Sequence, residues 1–190
     1  GLQDLPDLVG HRVAVRGPQV RDLLEHGYSV LLCGRDKSRI LHLLRNKRAA
    51  FQYVDMRNFL PAVDVIQKSG AGIVVNCMEG DWNLQALKAC LKARVNSLDL
   101  GSEIWMTKAQ LALGPVLKKK SLIHITGCGS IPGVGNVMVR YLAEKLDTLE
   151  SIDIGFAWDS NIKTFVVPFS IKSIIEEFTD PATVIYRGKV

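Results

Sequence analysis

The sequence predicts an α/β protein: a Rossmann-type doubly wound parallel sheet, followed by the start of a second α+β domain. Three observations predict it. Runs rich in Val, Ile and Leu recur between Arg12 and Thr126 without strict apolar–polar alternation, as strands buried on both faces require. Amphipathic segments separate them, and a β-α-β-α order builds a parallel sheet covered by helices on both sides. After about residue 150 the pattern changes. The boundaries predicted are 1–150 for a dinucleotide-binding domain and 151–190 for the beginning of a second, substrate or dimerisation domain.

The strands are expected at Arg12–Gly17, Tyr28–Gly34, Ala50–Asp55, Gly72–Cys77, Ser97–Leu100 and Leu122–Thr126. The first helix is the short PQVRDLLEH segment. The clearest helix runs from Asn83 to Arg94, with Leu84, Leu87 and Leu91 on one face and Ala86 and Cys90 beside them. Asp81 or Asn83 is placed to cap it. Lys118, Lys119 and Lys120 sit where a helix should end, a solvated terminus rather than a nucleic-acid patch. Beyond 150, SIDIGFAW reads as a strand of period two, IKSIIEEF as a helix, Thr179-Asp180-Pro181 as a turn and VIYRGKV as a strand. This is read as an incomplete second domain.

One part of the first unit is missing. A G-x-G-x-x-G loop normally follows the first strand, and the next turn's glycine lies roughly 16 residues after the first fingerprint glycine. Here Gly17 to Gly27 spans only ten. The loop is either truly deleted, or it belongs to the molecule but is not among the residues numbered here, between Gly17 and Pro18. The second is the reading adopted, because a helix this short makes a very brief crossover. A smaller cut is suspected near Arg45-Asn46.

Composition narrows the class. Of 190 residues, 47% are hydrophobic and 23% charged, with a mild net charge of +5. No apolar run reaches the roughly 18 residues of a membrane helix, and the first residues do not read as a secretory leader. Cys33, Cys77, Cys90 and Cys128 show no paired spacing, which points to free thiols in a reducing, cytoplasmic setting and to no zinc site. No metal, nucleic-acid or membrane partner is expected.

The candidate site residues lie at strand ends. Gly17 closes the first strand. Gly34, Arg35 and Asp36 follow the second, where an acid suits an NAD ribose and an arginine an NADP 2′-phosphate, so the cofactor is NADP or NAD, leaning to NADP. Asp36 is the alternative acid, one position late. Asp55 ends the third strand near an adenine position; Asn76, Cys77 and Met78 end the fourth. Asp99 ends the fifth, and Gly127, Cys128, Pro132, Gly133 and Asn136 form a glycine-rich turn opening a helix. Amides exposed there would suit a substrate carboxylate; the alternative is a plain interdomain turn. A nucleophilic Cys128 needs a histidine base, and His124 lies inside a strand, so no catalytic residue is assigned.

The stretches IVVNCMEGDWNLQALKACLKARVNSLDLGSE, GCGSIPGVGNVMVRYLAEKL and SIIEEFTDPATVIYRGKV together resemble the saccharopine dehydrogenase-like family of amino-acid oxidoreductases. The resemblance covers most of the chain from Ser29 onward. It implies a two-domain enzyme, often a homodimer, moving hydride between a nicotinamide ring and the carbon of an imine or amine. It places Asn76–Met78 near the nicotinamide ribose and Gly127–Asn136 at the nicotinamide and cleft entrance. Two departures weaken saccharopine itself as the substrate: Ile131 stands where an acid often precedes Pro132, and Glu79-Gly80 replaces a common Pro-Pro. The expected function is nicotinamide-dependent oxidoreduction of the C–N bond of an amino-acid-like substrate. The alternative is a non-catalytic nucleotide-sensing or scaffold protein with a degenerate domain. A Rossmann methyltransferase fits less well, lacking an acid at the second strand's end.

Overall fold

The structure is a computed structural model. It describes residues 20–101, 103–155, 175, 178 and 179, and the backbone of 12–14 and 19. Six parallel strands form one sheet: β1 (Arg12–Ala14), β2 (Ser29–Gly34), β3 (Ala49–Tyr53), β4 (Ile73–Asn76), β5 (Asn96–Asp99) and β6 (His124–Ile125). Their order is β3-β2-β1-β4-β5-β6, the doubly wound order with its reversal between β1 and β4. The helices are α1 (Gln19–Glu25), α2 (Phe59–Lys68), α3 (Asn83–Ala93), α4 (Ile104–Leu111), α5 (Gly114–Lys119) and α6 (Val134–Ala143). The chain divides into two compact units, Gly1–Ile152 and Asp153–Val190.

The two-sided strands follow from period-two geometry applied to continuous apolar runs. Val30 and Leu32 pack with Val20 and Leu24 of α1, and Phe51, Ile73 and Val75 join them on that face. On the opposite face Val74 packs with Cys90 of α3, with Cys33, Ile66 and Val95 around them. Helix α3 buries Ala86, Leu87, Cys90 and Leu91 as its pattern requires, and Arg94, in left-handed backbone at φ 60°, ends it. In α2, Pro61 falls in the first turn, where its missing N–H breaks no helical bond.

Several expectations need correction. The segment after β2 is two 3-10 turns, Ser38–Ile40 and Leu43–Arg45; their Leu43, Leu44 and Ile40 cover the sheet. This brief segment occupies the place where a small cut was suspected. Asp81 and Asn83 do not cap α3; Trp82 takes the cap position and no side chain caps it. Strand β3 stops at Tyr53, so Asp55 lies in the following turn. Residues 151–155 carry no regular structure, so the strand expected from Ser151 is not formed there. Ile175 and Phe178 are helical, as the IKSIIEEF segment predicts, and Thr179, expected in the turn, is helical as well. Gly17 and the junction at residues 15–18 lie outside the described residues, as does the VIYRGKV segment. β1 nevertheless pairs with β2 with only residues 15–28 between them.

Candidate functional site

A cavity of about 570 Å³ opens at the carboxyl ends of β2, β3 and β4. It straddles the neighbours of β1, where the strand order reverses and open α/β sheets bind ligands. Its floor is apolar, from Leu32, Phe51, Val74 and Val75 of the strands and Ile66 and Cys90 of the helices. Its rim is charged: Arg35, Arg39 and Arg57 stand with Asp36, Asp55 and Glu79.

The β2 and β3 ends supply that rim. Gly34, Arg35 and Asp36 line the cavity in sequence. Asp36 Oδ1 accepts from Ser38 Oγ at 2.6 Å and from its N–H at 2.9 Å, a local turn that holds the carboxyl below its ordinary value. Asp55 is only 8% exposed although it lines the cavity. Arg57 Nη2 donates to Asp55 Oδ2 at 2.5 Å and Arg57 Nε to Oδ1 at 3.0 Å. These bonds, with the Arg57 backbone N–H, keep the Asp55 carboxyl down at about 2. Arg35 adds its charge to the same effect.

Asn76, Cys77 and Met78 also line the cavity. Asn76 is a strut as well as a wall. Its Nδ2 donates to Asn83 Oδ1 at 2.7 Å, and its Oδ1 accepts the Met78 N–H at 3.1 Å. This satisfies the partner that its burial demands.

The other predicted residues that the structure describes gather elsewhere, at the ends of β5 and β6, and none of these lines the cavity. Asp99 is fully buried. Its Oδ1 accepts from Gly101 N–H at 2.9 Å, Gly127 N–H at 3.0 Å and Thr126 Oγ1 at 3.3 Å. Its Oδ2 accepts from Gln110 Nε2 at 2.6 Å and lies 3.2 Å from His124 Nε2. Burial alone would push this carboxyl up; the bonds from His124, Gly127, Gln110 and Gly101 outweigh it and leave it at about 2. The geometry makes Asp99 a clamp on the turn rather than a group presented to a ligand. Gly101, at φ 106°, approaches Pro132 so closely that an added Cβ would lie 2.7 Å from the proline ring. Pro132 thereby locks the Gly101 turn against the Gly127 turn.

Five amides on this turn are engaged within the chain. Gly127 and Cys128 N–H donate to Asp99, Gly133 N–H to Asn136 Oδ1, Val134 N–H to Gly129 O and Gly135 N–H to Ser130 O. Each of the five is spent inside the chain: Asp99 takes two, and Asn136 Oδ1, Gly129 O and Ser130 O take the others. Ser97 Oγ lies 2.8 Å from His124 Nδ1, so Ser97, His124 and Asp99 stand in series. Ser97 and Asp99 are 4% and 0% exposed, which denies any substrate an approach. Three thiols are held toward their neutral form: burial pushes Cys33 up to about 12 and Cys90 to about 11, and Cys128 is also raised, by desolvation and the Asp99 charge. Among the described residues no cluster of three or more metal-binding side chains forms, and no helix is long and apolar enough to cross a membrane.

Sequence reasoning missed Arg39, Arg57, Asn83 and Gln110. The Asp55–Arg57 spacing was a signal, since an Asp reaches its neighbour two residues on. Gln110, on the α4 face, carried none.

The model of the saccharopine dehydrogenase NADP binding domain matches residues 14–125, well over half of the chain. Among solved structures, apo saccharopine dehydrogenase (L-Glu forming) from Saccharomyces cerevisiae superposes with a TM-score of 0.59 at 11% identity, over 70% of this chain and 30% of that one. Leucoanthocyanidin reductase with NADPH, from Vitis vinifera, gives 0.48 at 15% identity, over 63% of this chain and 50% of that one. The NAD(P)-binding domain of an exopolyphosphatase-related protein from Archaeoglobus fulgidus gives 0.47 at 17%, over 72% and 96%. The yeast enzyme's likeness shows the Rossmann-type fold, and the chain spans less than a third of that enzyme's length. What the match establishes is the nicotinamide-dinucleotide domain of an oxidoreductase family. The chain belongs to the saccharopine dehydrogenase family, and residues 14–125 are its NADP-binding domain.

Proposed function

We propose that the protein is a nicotinamide-dependent oxidoreductase that acts on the C–N bond of an amino-acid-like substrate, with NADP preferred. One observation carries the reading: in a chain of this family, the cavity lies at the strand-order reversal, with an apolar floor for a base and arginines on its rim. The residues fit the adenosine end of such a cofactor. Arg35 and Arg39 supply cations for a 2′-phosphate, and Asp55, fixed as a carboxylate by Arg57, offers an acceptor for a base or ribose donor. The Cys77–Met78 turn would meet the ribose toward the other end. When bound, the cofactor supplies the hydride chemistry, and the chain supplies position and electrostatics. Cys128, Pro132, Gly133 and Asn136 belong to this proposal as the substrate-side turn, through side chains and carbonyls rather than amides. A homodimer is part of the same reading.

The test is titration of NADPH and NADH into the full protein, followed by cofactor fluorescence. Saturable binding with NADPH tighter supports it; no binding of either sinks it. A second reading has one observation in its favour. Only residues 15–18 separate Ala14 from Gln19, and α1 has seven residues, so the sequence holds no six-residue glycine fingerprint there. On that reading the domain is a nucleotide-sensing or scaffold module. Binding of NADPH without turnover of any amino-acid substrate would select it.

A further inference from the structure

We infer that Asn83 is a positioning residue of the cofactor edge: it couples the turn after β4 to the turns after β5 and β6, and so sets where the nicotinamide half of a bound dinucleotide is held. The inference rests on the nicotinamide-dependent reading above.

Asn83 is 2% exposed and is the first residue of α3. It does not line the cavity, although Trp82 and Ala86 on either side do. Its Oδ1 accepts from Asn76 Nδ2 at 2.7 Å, and its Nδ2 donates to Gly101 O at 3.0 Å. Asn76 in turn holds Met78 N–H, and Gly101 N–H binds the Asp99 oxygen that also receives Gly127 N–H. Three turns at the carboxyl edge are thus joined by one buried chain of bonds through Asn83. The residue type is demanding. The position needs one acceptor and one donor on a short planar group, which aspartate and leucine both fail to supply. An asparagine at a helix start ordinarily serves its own helix as a cap. Here α3 begins with no side-chain cap, and the amide is spent across the fold instead. A local rule given up in this way marks a position under another constraint.

The test separates two halves of the ligand. Adenosine 2′,5′-bisphosphate reaches only the β2 and β3 rim, whereas NADPH extends to the β4 edge. Asn83→Asp keeps the acceptor for Asn76 but loses the donor to Gly101 O. Loss of this bond should weaken NADPH about five- to tenfold by calorimetry and leave the bisphosphate within about twofold. Equal weakening of both ligands would show a merely structural residue, and unchanged NADPH affinity would remove the coupling; either overturns the inference. Thr126→Val, at the far end of the same chain of bonds, provides the measurement if Asn83→Asp does not fold, with the same split at about threefold. Wild-type protein that binds neither nucleotide overturns the function reading itself, a result distinct from wild-type binding without a split in the variants.

Discussion

The two halves of the carboxyl edge are built on opposite plans. From β4 to β6 the polar groups are buried and bonded to one another: Asn76, Asn83, Ser97, Asp99 and Gln110 are each 6% exposed or less. No buried side-chain nitrogen or oxygen among the described residues lacks a partner. At β2 and β3 the polar groups are charged and, apart from the buried Asp55, face solvent. Arg57 is 65% exposed on its side chain, and Arg35, Asp36 and Arg39 are exposed. A buried, satisfied network fixes geometry, because each broken bond leaves an unpaired group out of water. An exposed charged rim fixes little in the free protein and keeps its cations available to a ligand. One half therefore holds its geometry, and the other leaves its cations exposed.

The largest break in this comparison is Asp99→Ala. It strips the acceptor from five donors around a fully buried carboxylate and should cost about 3–5 kcal/mol of stability, read by urea denaturation. A loss no larger than that of an exposed alanine substitution would refute the clamp.

Acid sharpens the same contrast. Asp99 has a folded value of about 2 against an ordinary 3.8. A depressed carboxyl stabilises the fold above the unfolded value, and that stability disappears as pH falls through the folded one. The wild type should therefore lose about 2 kcal/mol between roughly pH 4 and pH 2 from this group. Asp99→Asn should be less stable at pH 7 and show a shallower acid slope across that window. Parallel slopes in the two proteins would show that other carboxylates govern acid unfolding.

How far the sequence showed this division depends on the kind of order involved. The apolar runs at Val30–Leu32 and Ile73–Val75 gave strand identity directly, because burial on both faces leaves a compositional mark. Arg35, Asp55 and Asn76 were found because strand ends can be counted from those runs. The clamp was not legible beyond Asp99 itself. Gln110 and Thr126 meet Asp99 from 11 and 27 residues away, and nothing local marks a buried glutamine on a short helix. The committed amides were missed for a similar reason: the glycines of 127–135 announce close backbone approach but not which acceptor takes each N–H. A Cβ at Gly133 would collide with Gly129 O, so those glycines serve the turn's own packing.

On the charged half, Arg35→Ala should weaken NADPH about tenfold and leave NADH unchanged, since a cation on a 2′-phosphate has no counterpart in NADH. Urea midpoints should move little, because Arg35 is exposed and acts on the fold only through its charge at Asp55, which Arg57 already binds directly. An equal loss for both cofactors would place Arg35 on a group they share.

The smallest expected effect is the most discriminating between NADP and NAD. Asp36 lies beside Arg35 and is exposed, and its Oδ1 is committed to the Ser38 turn while Oδ2 has no partner in that turn. Asp36→Asn preserves an oxygen for the Ser38 bonds and removes only the charge. If the rim takes a 2′-phosphate, losing that negative charge should tighten NADPH by about two- to threefold, the scale of one exposed charge. If Asp36 instead serves as the ribose acid, NADH should weaken and NADPH stay put, since the carboxylate then accepts a hydroxyl that NADPH does not carry. The sign of the NADPH change thus separates a rim tuned for phosphate by its arginines from one tuned for a hydroxyl by its acid, and it does so without disturbing the buried half of the edge.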